Sequence, residues 1–224
     1  MIPRWSHSRL STYESCPKKA YYRYVKKVSE EQHPAAERGV KIHNLAEEYI
    51  KGEISEMPSE LYLFYEGFEQ LRLEYEEGSV CVEEQWAFNL SWEKTDWDSE
   101  DTWGRYIVDA LIMQGTHAKV IDFKTGRYKD YNEGYKGQCA LYACCVFMRF
   151  PELKTIQTEL WYLDHHKITK YSFTRDDAEK QKKEFHARGL AMTTDEKFET
   201  SPSETACRFC SFTKICKDNF YERA

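Results

Sequence analysis

Between Gly104 and Lys124 the chain sets three charged side chains into two apolar runs, G-R-Y-I-V-D-A-L-I-M and V-I-D-F-K. Runs this rich in Ile and Val, separated by Gln114-Gly115-Thr116-His117, predict a β-hairpin buried on at least one face. A charge inside such a strand is costly unless it is paired or bound to a metal. Asp109, Asp122 and Lys124 are those charges. The strand period of two puts Asp122 and Lys124 on one face with Val120, and Ile121 and Phe123 on the other. Asp109 shares a face with Ile107 and Leu111 and can lie across from Asp122 on the neighbouring strand. Two carboxylates and an ammonium at one spot form a divalent-cation site. Oxygen donors of this hardness suit Mg²⁺ or Mn²⁺ rather than Zn²⁺.

After a turn at Thr125-Gly126-Arg127, a helix capped near Asn132 is expected to run to about Phe150. Gln138 and Tyr142, four apart, project from one face of it. At 224 residues, 41% hydrophobic and 31% charged, the chain reads as one soluble globular domain, 1–224. No apolar run is long enough for a bilayer and the N-terminus lacks a signal-peptide core, so a cytoplasmic location without membrane contact is the default expectation. A formal net charge of −6 speaks against non-specific coating of nucleic acid, but leaves room for local basic patches. Of eight cysteines, Cys81, Cys139, Cys144 and Cys145 sit in apolar contexts and read as buried small hydrophobes. The other four, Cys16 near one end and Cys207-x-x-Cys210 with Cys216 near the other, read as metal ligands. On ligand count alone they suit Zn²⁺.

Asp109 followed by Asp122-Phe123-Lys124 resembles the bipartite core of the PD-(D/E)xK nuclease superfamily. The trailing Gln138-x-x-x-Tyr142 is similar to its RecB-like branch, which includes phage exonucleases and CRISPR-associated adaptation nucleases. The resemblance implies an α/β fold with a restriction-endonuclease-like core, a central mixed sheet flanked by helices. It implies a metal-dependent DNA exonuclease using Mg²⁺ or Mn²⁺, held by His43 of Arg38-Gly39-x-x-x-His43, Asp109, Asp122 and the Phe123 carbonyl. Lys124 would position the attacking water, and Gln138 and Tyr142 would contact substrate or orient catalytic groups. Three local cysteines plus one remote one match the relatives that carry a four-iron four-sulfur cluster. Cys16, Cys207, Cys210 and Cys216 would then join segments 1–27 and 200–224, with zinc as the alternative occupant. DNA, as single strands or duplex ends, is the implied partner, with a homo-oligomer or a recombination or CRISPR protein as further partners. A non-catalytic DNA-binding scaffold of the same fold is the competing reading, as is prespacer trimming in CRISPR adaptation.

Elsewhere the pattern is plainer. A Ser cap near Ser8 opens a short helix ending at Cys16, because the residue before Pro17 is pushed out of α geometry. A second helix from Lys18 interleaves Tyr21, Tyr22 and Tyr24 with Lys18, Lys19 and Arg23, either a nucleic-acid surface or an amphipathic helix with a solvated basic face. Arg127 could add a phosphate contact. A helix over Ser59–Glu77 is packing. In the strand Val80–Trp92, Val82, Trp86, Phe88 and Leu90 are expected on one face, with Glu84 among them as a candidate third carboxylate at the metal. The acidic stretch E-K-T-D-W-D-S-E-D reads as a solvated loop. Thr174-x-x-Asp177 resembles a capping box, opening a charged helix to about Thr193.

Overall fold

The computed structural model describes residues 1–30, 33–128 and 133–222. Helix α1 (His7–Ser15) is capped by Ser6, whose hydroxyl accepts from the Arg9 amide, and it stops at the extended backbone of Cys16 before Pro17. A short helix α2 (Pro17–Ala20) follows and widens into a π-helical turn, Tyr21–Val25. Then come α3 (Pro34–Ile50) and α4 (Tyr65–Glu76), the latter preceded by a 3₁₀ turn over Ser59–Phe64. The strands are β1 (Val80–Phe88), β2 (Lys94–Thr95), β3 (Gly104–Gln114) and β4 (His117–Lys124). Helix α5 (Glu133–Arg149), β5 (Thr155–Tyr162), β6 (Lys167–Thr174), α6 (Arg175–Thr194) and α7 (Glu204–Arg208) complete the order. The helix cap expected near Asn132 lies outside the described residues, whereas the Thr174/Asp177 capping box forms as read.

The six strands make one mixed sheet in the order β2-β1-β3-β4-β5-β6, every pair antiparallel except β4–β5. A parallel pair needs a crossover, and α5 supplies it. The β3–β4 hairpin turns at Gly115, whose φ of 63° belongs to the left-handed region that glycine enters without a Cβ clash. The sheet is covered on both faces. Ile42, Ile50, Phe68 and Leu71 of α3 and α4 pack on Val80, Ala110, Ile112, Ile121 and Phe123. Leu10, Leu141, Val146 and Phe185 of α1, α5 and α6 pack on Val108, Leu111, Val120 and Ile156. Cys139, Cys144 and Cys145 are buried in this second layer, as their apolar context predicted, and Cys81 is half-buried.

Two irregularities position everything that follows. First, β3 and β4 part company: their pairing runs from Gln114↔His117 to Ala110↔Ile121 and goes no further, while β3 continues beside β1 and β4 beside β5. The sheet therefore forks at Asp109 and Asp122. Second, the side-chain alternation reverses at Glu83, which has a φ of 51°. Val80 and Val82 belong to the α3/α4 layer, but Trp86 and Phe88 belong to the opposite one. The expectation that Val82, Trp86, Phe88 and Leu90 share a face is therefore corrected, and Leu90 is exposed. A strand keeps its period of two only while its backbone stays extended.

Candidate active site at the fork of the sheet

Where β3 and β4 separate, Phe123 keeps β5 but loses its neighbour on the β3 side, and a buried amide facing that side must be satisfied elsewhere. Its N–H donates to Asp109 Oδ2 at 2.7 Å, and its carbonyl lies 2.9 Å from His43 Nε2 on α3. These two bonds seat Asp109 and His43 in the crotch of the fork. With Nε2 turned to the carbonyl, Nδ1 faces acids: Asp109 Oδ2 at 3.4 Å and Glu83 Oε1 at 3.6 Å. One ligand atom each from His43, Glu83 and Asp109 fall within 4.8 Å of one another, the one such grouping among the described residues. Glu83 Oε1 is buried and has no hydrogen-bond partner.

Asp122, 3% exposed, projects from the other side of the fork. Lys124 Nζ pairs with its Oδ2 at 2.5 Å and donates to Gln138 Oε1 at 2.9 Å. Gln138 Nε2 donates to Asp122 Oδ1 at 3.0 Å, and the Tyr142 hydroxyl donates to the same oxygen at 2.7 Å. Gln138 also donates to the Tyr142 hydroxyl at 2.8 Å, closing the network. The crossover helix α5 thus brings both residues onto the acid–amine pair of β4. Asp109, Asp122, Lys124, Gln138, Tyr142, His43 and Glu83 all line one cleft.

The charges in this cleft respond to one another. Burial, then the neighbouring Asp122, pushes the Asp109 carboxyl up to about 6. Burial opposes a charged His43 ring, yet Asp109 and Glu83 outweigh it and raise the ring to about 10. Burial likewise opposes the Lys124 ammonium, and Asp122 raises it nonetheless. Asp109, Glu83 and Asp122 thus gather negative charge around His43, the environment a divalent cation requires. His7, at the start of α1, lines the same cleft and is lowered to about 4, by burial and then by Lys124.

Several expected residues stand elsewhere. Glu84 is exposed and turned from the cleft; Glu83 takes its place, because the left-handed backbone at Glu83 shifts the alternation by one residue. No sequence signal flagged that backbone. The Phe123 carbonyl, expected at the metal, is engaged by His43, although a carbonyl oxygen has a second lone pair to give. In the basic, aromatic helix several of the expected groups are already engaged within the chain. Arg23 is locked to Glu30 by bonds of 2.5 and 2.6 Å, and the rings of Tyr21 and Tyr22 pack on Phe198 and Phe212. Lys18 and Lys19 line a different pocket, the one that Cys16, Cys207, Cys210 and Cys216 share. Arg127 is exposed just past β4. Four thiols from opposite ends of the chain therefore meet in one pocket, and among the described residues no three of the sulfurs come within 4.8 Å of one another. No described helix is long and apolar enough to cross a membrane.

A family model described as the PD-(D/E)XK nuclease superfamily matches residues 4–217. Among solved structures the chain is similar to SSO0001, with a TM-score of 0.53 and 16% identity over 98% of this chain and 88% of that one. It is also similar to a protein of Eubacterium rectale described as a "putative exonuclease", with a TM-score of 0.57 and 14% identity over 98% and 91%. Identities this low speak to fold. No curated protein matches the sequence.

Proposed function

We propose that this chain, which belongs to the PD-(D/E)XK nuclease superfamily, is a divalent-metal-dependent deoxyribonuclease that degrades DNA from an end, in recombination, repair or processing. The observation that carries this reading is the convergence of Asp109, Asp122 and Lys124 at the fork of the sheet, in one cleft with His43 and an orphaned Glu83 oxygen. The donor set fits a hard cation: carboxylates dominate, and Glu83 Oε1 and Asp122 Oδ2 are buried there without a hydrogen bond, facing only the charges of His43 and Lys124. His43, Glu83, Asp109 and Asp122 would hold Mg²⁺ or Mn²⁺. Such an ion supplies a hydroxide-like nucleophile and stabilises the charge that develops on phosphate. Lys124 holds a positive charge beside Asp122 and can orient the attacking water, for which a compact ammonium with rotatable donors is suited. Gln138 and Tyr142 fix the Asp122 carboxylate and the Lys124 ammonium relative to each other, so neither needs to reorganise during the reaction. The intact acid–amine set speaks against a non-catalytic scaffold. End-directed action draws support from the description of the Eubacterium rectale protein alone.

The four cysteines are read as ligands of a four-iron four-sulfur cluster. Four thiols drawn from both ends of the chain into one pocket supply the ligand number such a cluster takes. Lys18 and Lys19 beside them would offset the charge of thiolate ligands. The chain would act as one cytoplasmic nuclease domain, closed by this cluster.

The test is cleavage of labelled linear and circular DNA in Mn²⁺ or Mg²⁺. Linear DNA is expected to be shortened progressively and circles left intact. Lys124→Ala should keep Mn²⁺ and DNA binding while its single-turnover rate drops on the order of 10²–10³-fold, the scale of losing one electrostatic stabiliser. Failure to cut DNA with either metal would overturn the nuclease reading; nicking of circles would overturn end-directed action; normal cutting by Lys124→Ala would overturn the role of that amine.

A further inference from the structure

The nuclease reading uses only the carboxylate end of the cleft. From Asp109 the cleft runs past Ile107 to Arg105, and Trp97, from the acidic loop after β2, lines it there. Ile107 is 38% exposed on a strand where Val108, Ala110 and Leu111 are sealed from solvent. The Arg105 guanidinium lies 4.6 Å from the centre of the Trp97 ring and is anchored by the Trp97 carbonyl and by Asp98. Arg105 Nε is buried without a hydrogen-bond partner. The first turn of α1 and the residues just before it line the same cleft. They are pinned to this end of β3 by two backbone bonds of 2.9 Å, from the Trp5 amide to the Trp103 carbonyl and from the Arg105 amide to the Trp5 carbonyl. An uncovered aliphatic side chain, an indole and a guanidinium therefore follow the acids in line.

The geometry points to a base-stacking subsite for single-stranded DNA at Ile107, Trp97 and Arg105, adjoining the scissile phosphate. This rests on the nuclease reading and names the substrate form it takes. In a duplex the base faces are covered by their neighbours, so an indole and an aliphatic floor would meet only sugar and phosphate. An unpaired strand brings its π-faces free, and every base has one, so such a platform holds it without regard to sequence. Arg105 stacks as a flat cation and offers a phosphate contact. Its present partner, Asp98, is 85% exposed while the Arg105 side chain is 18% exposed, so a phosphate reaching the guanidinium displaces a solvated acid.

The test uses the full chain with Ca²⁺ to occupy the metal site, and reads fluorescence anisotropy of a labelled single-stranded oligonucleotide and of the corresponding blunt duplex. Trp97→Ala should weaken single-strand binding about 5- to 100-fold and change duplex binding little, with Trp97→Phe restoring most of the loss. Oligonucleotides whose terminal nucleotides lack bases should bind the native chain more weakly by a similar factor and bind Trp97→Ala no worse than intact ones. Unchanged single-strand affinity in Trp97→Ala, or an equal loss for both DNA forms, overturns the subsite while leaving the nuclease reading in place. A native chain that neither binds nor cuts any DNA overturns both.

Discussion

Glu83 occupies a backbone region that costs a side-chain-bearing residue on the order of 1 kcal/mol or more, and its buried carboxylate oxygen makes no hydrogen bond, with only His43 Nδ1 facing it at 3.6 Å. Both burdens are useful if the residue holds a cation. Glu83→Asn, which suits left-handed φ and carries no charge, should therefore leave folding stability equal or up to about 1 kcal/mol higher in metal-free urea unfolding. The same variant should lower Mn²⁺ affinity by calorimetry at least ~10-fold, the scale of disturbing a metal's coordination shell. Glu84→Gln, changed on an exposed side chain, should alter neither. Equal metal affinity in Glu83→Asn would remove the residue from the site. Asp109, Asp122 and Lys124 were legible in the sequence because each is a charge in an apolar run. Glu83 was not, since two adjacent glutamates are indistinguishable until the backbone decides which one turns inward.

At the scale of elements, a charge in an apolar strand is not always a site. Glu159 on β5 is 3% exposed, and reading charges alone would place it beside Asp122. Its demands are met locally: Gln157 and Trp161 on its own strand donate at 2.6 and 2.8 Å, and Lys170 of β6 pairs at 2.9 Å. Burial opposes its charge, but Trp161 and Lys170 hold its carboxyl below the usual range of about 4.5. A carboxyl depressed on folding stabilises the native state above its unfolded pKa, and that contribution fades as pH falls through the folded value. The stability difference between the native chain and Glu159→Gln, about 1–3 kcal/mol for a hydrogen-bonded charge at neutral pH, should shrink below pH ~4.5. Chemical denaturation across that range checks it, and a pH-independent difference would mean the pair contributes nothing through its charge. Helix α5 makes the complementary point. The four-residue spacing of Gln138 and Tyr142 was readable, but their bonds to Asp122 and Lys124 exist because α5 is the crossover between the parallel strands β4 and β5.

Across the whole molecule, the pocket formed by Cys16, Cys207, Cys210 and Cys216 joins the two ends of the chain. If it holds an iron–sulfur cluster, protein purified without oxygen should be brown and contain iron and sulfide in equal amounts. Cys16→Ser should lose that colour and melt lower. A loss of ~3 kcal/mol corresponds to roughly 6–12 °C at this size. Stoichiometric zinc instead would correct the occupant. The sequence by itself determined the strand and helix types, the acid–amine pair and the four end-of-chain cysteines, because periodicity, burial of charge and ligand count are local properties of side chains. Only the tertiary structure decided that the sheet forks at Asp109, that Glu83 rather than Glu84 turns inward, that Arg23 is already paired, and that Trp97 and Arg105 prolong the cleft. Those outcomes depend on where strands part and which distant groups arrive, and no spacing along the chain encodes such a meeting.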